Sequence, residues 1–212
     1  MIESKSKKCS FFGHRNIEAT DELNRKVKEV VEDLIVNHNV CNFLFGSRSN
    51  FDALCHSVVT DLKEKYKHIN RIVYTCKNET CILEKEIQMW EKIYSNLQNE
   101  PVRLIGFDLE IEHKTKYSSG KAGYVERNYA MIDDSDFCVF YYDEQYIPKI
   151  RQKYKKSLFC YHPKSGTALA YNYAKQKKKA IINLIWMNDK IIILPVLEKK
   201  WAFAHFFTCH RR

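Results

Sequence analysis

Lys8-Cys9-Ser10-Phe11-Phe12-Gly13-His14-Arg15 is a run of β-forming residues that ends on a glycine turn, and a helical pattern follows it. Thr20-Asp21-Glu22 opens that pattern, and Leu23, Val27, Val30, Val31, Leu34 and Ile35 recur at spacings of three and four. A threonine N-cap and two acids in the first turn satisfy the exposed amides and complement the helix dipole. The apolar recurrence marks one buried helix face. The unit is therefore strand, glycine turn, helix.

The unit repeats. Residues 41–45 read as a second strand closed by Gly46, residues 51–66 as a helix through Leu54, Val58, Val59 and Leu62, and residues 71–75 as a third strand. Ile82, Ile87, Trp90 and Ile93 suggest a helix within 76–101, and Pro101 precedes a short strand at 102–105. Residues 121–132 are helical by pattern, with Tyr124 or Val125, Ala130 or Tyr129, and Ile132 inward; with Val125, Tyr129 and Ile132 on the core, Arg127 points toward the sheet's edge. Residues 137–142 have the composition of a central strand, followed by a helix at 165–174 and a strand at 180–185. Strands alternating with helices of this length predict an α/β fold, a Rossmann-like three-layer sandwich. Its sheet is mostly parallel, with helices on both faces. One domain spans 1–186; residues 187–212 leave the alternation and read as an added helix or strand or an oligomer contact, so a homo-oligomer is open.

With 212 residues and 45% apolar content, the chain can bury one substantial core. Its formal charge is +9, with lysines grouped in 149–156 and 175–179. Such runs read first as solvated faces, and nucleic acid is the other partner they fit. The eight cysteines are scattered, and Cys9 and Cys138 lie in apolar strands where a reduced thiol is a small hydrophobe. No cysteine or histidine spacing completes a zinc site, so neither metal nor cofactor is expected. The lysine-rich start lacks the apolar segment of a secretion signal, and the apolar run 191–197 is too short for a membrane span. A cytoplasmic protein without a membrane partner is expected.

Most of the six glycines stand at strand ends, the ligand side of an open α/β sheet. Gly13-His14-Arg15 and Gly46-Ser47 follow the first two strands, and Asp52 is either a helix cap or an acceptor for a ribose hydroxyl. Ser165-Gly166-Thr167 begins a helix, where free amides and the dipole attract phosphate and hydroxyls add hydrogen bonds. Ser165 as a simple N-cap is the plainer alternative. Asp133, Asp134 and Asp136 are candidate acids or bases, or a helix stop.

Four motifs in order resemble the YpsA-like members of the SLOG superfamily, which unites DprA-type and lysine-decarboxylase-like (LOG) Rossmann proteins. They are Cys9-Ser10-Phe11-Phe12-Gly13-His14-Arg15; Phe45-Gly46-Ser47 with Phe51-Asp52; Tyr124-Val125-Glu126-Arg127-Asn128 with Met131-Ile132-Asp133 and Ser135-Asp136; and Ser165-Gly166-Thr167 with Ala170 and Tyr173-Ala174. The resemblance covers about residues 8 to 185. It implies a nucleotide or nucleotide-derived phosphate ligand bound by Gly13, His14, Arg15, Gly46, Ser47, Asp52, Arg127, Asn128, Ser165, Gly166 and Thr167.

The LOG branch hydrolyses nucleoside monophosphates using a helix arginine and a Pro-Gly-Gly-x-Gly-Thr-x-x-Glu segment. Arg127, Gly166 and Thr167 match that pattern, whereas Lys164 and Ser165 replace two glycines and Ala170 replaces the glutamate. Losing a general acid or base typically costs about 10²–10⁴-fold in rate. Binding or sensing is therefore the expectation, with two alternatives. An N-glycosidic hydrolase or transferase would use Arg127 with a relocated carboxylate such as Glu126, Asp133 or Asp52, and DprA-like nucleic-acid binding would use the lysine runs.

Overall fold

A computed structural model describes residues 6–15, 17–46, 49–79, 106–117, 120–146 and 165–186. In chain order the elements are β1 (Lys7–Gly13), α1 (Asp21–His38), β2 (Val40–Phe45), α2 (Asn50–Lys65), β3 (Asn70–Cys76), β4 (Leu109–His113), α3 (Lys121–Asp134), β5 (Phe137–Tyr141), α4 (Gly166–Gln176) and β6 (Ala180–Asn183). The predicted helix within 76–101, the strand at 102–105 and the tail 187–212 lie outside the described residues.

Three of the helices begin on hydroxyl caps. Thr20 Oγ1 accepts from Leu23 N at 3.2 Å, Ser49 Oγ from Asp52 N at 3.0 Å, and Ser165 Oγ from Ala168 N at 3.1 Å. Each cap satisfies an amide that has no partner inside its helix. α1 stops at Asn39, whose φ of 56° is the left-handed conformation asparagine tolerates.

The six strands pair in parallel in the order β4-β3-β2-β1-β5-β6. Side chains alternate across the sheet. Cys9 and Phe11 of β1 join Phe43, Phe45, Val139 and Ile182 beneath the inner stripes of α1 and α2. Phe12 faces the other way, with Leu44, Ile72, Cys138, Phe140 and Ile181, and meets α3 and α4. Phe11 stacks on Phe45 at 5.1 Å in one core, and Phe12 on Phe140 at 5.1 Å in the other. The result is the three-layer Rossmann-like sandwich. Among the described residues no helix is long and apolar enough to cross a membrane.

Chain order reverses between β1 and β5, which opens a crevice beyond their C-terminal ends. Gly13 and Tyr141 are partners at that end. Gly13 is confined by packing, because a Cβ there would lie 2.4 Å from Phe51 of α2.

Two details differ from the sequence reading. β4 is an additional strand formed by Leu109-Glu-Ile-Glu-His113, at the sheet edge with Leu109 51% exposed. Its alternating charges suit a border that must not recruit another strand. The inner stripe of α3 is Gly123, Arg127, Met131 and Ile132, whereas Val125 and Tyr129 are only half-buried. Arg127 therefore points into the protein rather than toward the sheet's edge.

Candidate functional site

A cavity of about 590 Å³ lies beyond the ends of β1 and β2, walled by the starts of α2 and α4 and the first half of α3. Gly13, His14, Arg15, Gly46, Asp52, Arg127, Asn128, Ser165, Gly166 and Thr167 all line it, although they come from four separate parts of the chain. Ser47 is outside the described residues. Glu126 is not in the lining; its Oε2 accepts from Tyr117 N at 3.4 Å.

The α4 end of the cavity is tied to β1. Thr167 Oγ1 donates to Gly13 O at 2.8 Å, which spends the hydroxyl proton on the protein and holds the helix start against the strand end. Ser165 supplies acceptors for Ala168 N and, through its carbonyl, for Leu169 N at 3.0 Å. The amides of Gly166 and Thr167 are the first two of the helix and have no acceptor within it. A Cβ on Gly166 would meet nothing within 4 Å, so the space beside its Cα is open. The structure shows Ser165 as the cap, and Ser165, Gly166 and Thr167 line the cavity.

Arg127 forms the opposite wall. It is 4% exposed, and its Nη1 donates to both carboxylate oxygens of the fully buried Glu79 at 3.1 Å. Nη2 donates to Asn128 Oδ1 at 3.3 Å, and the guanidinium lies 5.0 Å from the centre of the Tyr124 ring. Nε has no hydrogen-bond partner among the described residues. A Cβ on Gly46 would sit 2.7 Å from Nη2, so the glycine makes room for the guanidinium at the end of β2. Glu79 in turn accepts from Cys76 N at 2.9 Å and is fixed to the end of β3. This carboxylate orients the arginine and makes its burial tolerable.

His14 is 4% exposed. Asp143 N donates to its Nε2 at 3.1 Å, which leaves the proton on Nδ1. Burial pushes its pKa below the usual histidine value, partly offset by Asp143, so it is a neutral donor near pH 7. Asp52 is the only carboxylate in the described lining, against Arg15, Lys121 and Arg127. Its Oδ2 accepts from Ser49 Oγ at 2.9 Å. The cavity is therefore biased toward an anion, with one fixed acceptor suited to a hydroxyl.

The aspartates at and just beyond the end of α3 are elsewhere. Asp136 accepts from Lys8 N at 2.9 Å, Asp134 pairs with Lys8 Nζ at 2.8 Å, and Asp133 pairs with Lys177 at 3.0 Å. All three stand at the N-terminal rim of the sheet, so they stop a helix and anchor strands rather than serve the cavity. Lys175, Lys177 and Lys178 are solvent-facing at the end of α4, outside the lining. Ala170 is 1% exposed in the core between α4 and the sheet, with no space for a carboxylate. Among the described residues no group of three or more metal-ligating side chains is assembled.

Sequence reasoning missed Glu79, Lys121 and Tyr146. Lys121 had a weak signal, since it follows Gly120 at a helix start. The other two lie in loops whose placement depends on distant strands.

No family model matches this chain, and no curated protein matches it.

Proposed function

We propose that this protein binds or senses a nucleotide or nucleotide-derived phosphate in the crevice beyond β1, β2 and β5. The observation that carries the reading is the convergence of Ser165-Gly166-Thr167, the Gly13 turn and Arg127 on one cavity of about 590 Å³. That size suits a small organic ligand and exceeds what an inorganic anion needs. The amides of Gly166 and Thr167 receive the phosphate with the help of the helix dipole. Ser165 adds a hydroxyl donor, and Arg127, its charge balanced and its plane held by Glu79, adds guanidinium N–H donors. The ordered resemblance to YpsA-like SLOG proteins supports the same reading.

Two placements favour binding over N-glycosidic cleavage, although Asp52, one of the carboxylates cleavage could use, does line the cavity. Ala170 is core, and Glu126 turns away from the cavity toward Tyr117. Nucleic-acid binding would use the lysine runs; those of α4 lie outside the cavity lining, and 149–156 lie outside the described residues. Titration calorimetry against nucleoside monophosphates, nucleoside diphosphates and ADP-ribose tests the proposal. Saturable one-site binding by at least one of them is expected; heat indistinguishable from dilution for all of them rejects it. Release of free base during the titration would replace binding by hydrolysis as the function.

A further inference from the structure

The cavity has an aromatic side as well as a cationic one. Tyr146 lines it from the turn after β5, and its ring stacks on the imidazole of His14 with centroids 3.9 Å apart and planes 25° apart. His14 follows β1, so the two rings rise from neighbouring strand ends at the mouth of the crevice. The turn is well fixed. Tyr146 N donates to Asp143 O at 3.2 Å, Gln145 N to Asp143 Oδ1 at 2.8 Å, and Asp143 N to His14 at 3.1 Å.

His14 covers one face of the Tyr146 ring, and the ring is half-buried. Beside His14, the ring forms part of the cavity lining. The imidazole behind the phenol is neutral, whereas Arg127 and Lys121 stand on α3 and Arg15 follows His14. A ligand that fills both sides carries an anion at one end and a planar ring at the other. Because the turn is already ordered, stacking on it carries a small entropic cost.

We infer that Tyr146 is a stacking platform for a nucleobase, so that the site selects nucleotides over simple sugar phosphates. This rests on the anion-binding reading given above and adds the chemical class of the ligand's other end. Stacking tolerates any base, and the larger purine surface gains more contact than a pyrimidine.

Calorimetry on the full chain with ribose 5-phosphate, AMP and CMP separates the two claims. AMP is expected to bind roughly ten- to a hundredfold more tightly than ribose 5-phosphate, with CMP between them. Tyr146→Ala should bring AMP down to the affinity of ribose 5-phosphate and leave ribose 5-phosphate unchanged, while Tyr146→Phe keeps the preference. Equal affinity of AMP and ribose 5-phosphate for the unmodified protein would overturn the inference, yet leave the anion site standing. A Tyr146→Ala variant that weakens both ligands equally, or neither, would overturn it as well. Absence of binding by all three ligands removes both claims. Should Tyr146→Ala fail to fold, the ratio in the unmodified protein still decides.

Discussion

Arg127→Met is expected to lower stability by about 3–5 kcal/mol, because it strands the carboxylate of Glu79 in a fully buried position. Methionine fills much of the space of the arginine stem but offers nothing to the two oxygens that Nη1 now holds at 3.1 Å. For a chain of this size that loss corresponds to a midpoint roughly 6–20 °C lower. The double variant Arg127→Met with Glu79→Gln should regain about 2 kcal/mol or more, since glutamine removes the charge and still accepts from Cys76 N. Urea melts of the two single variants and the double measure this coupling. A loss under about 1 kcal/mol in Arg127→Met would show that the pair does not hold α3 to the end of β3.

Gly166→Asp is expected to abolish nucleotide binding while leaving the fold intact. The position is open and a Cβ there meets nothing. An acid in the first helical turn is favourable by about 0.3–1 kcal/mol, so stability should hold or rise slightly. The same carboxylate would stand where the ligand phosphate approaches the Gly166 and Thr167 amides. Two anions about 4 Å apart repel by roughly 4 kcal/mol at an effective dielectric of 20, which sets the expected weakening at a hundredfold or more. Gly166→Ala adds bulk without charge and should stay within a few fold of the unmodified protein. Calorimetry on the two variants checks this, and an unaffected Gly166→Asp would move the phosphate away from α4.

Much of the architecture was written locally. Thr20 and Ser165 are cap residues directly before apolar periodicity, and both are caps in the structure. The glycine-ended strands at Gly13 and Gly46 could be read as ligand-side turns because backbone economy at a strand end is a short-range signal. What stayed hidden depends on long-range pairing. Arg127 was placed on an outer stripe because periodicity rewards Val125 and Tyr129; it is buried only because Glu79, 48 positions earlier, waits opposite. β4 was missed because its glutamates weaken a strand pattern that an edge position permits. Tyr146 gained its place from His14, on a neighbouring strand end 132 residues away by numbering. Local chemistry thus revealed the elements and half of the cavity lining, while the charge pair and the aromatic wall needed the folded topology.

On the proposed function, the first amides of α4 grip an anion at the mouth of the parallel sheet. Isotope-labelled amide spectra recorded while AMP is added test it most directly. Saturable shifts are expected, largest at Gly166 and Thr167 and smaller at Gly13, His14 and Arg15. Spectra that do not move, or shifts concentrated at Asp133, Asp134 and Asp136 on the far rim, would contradict it.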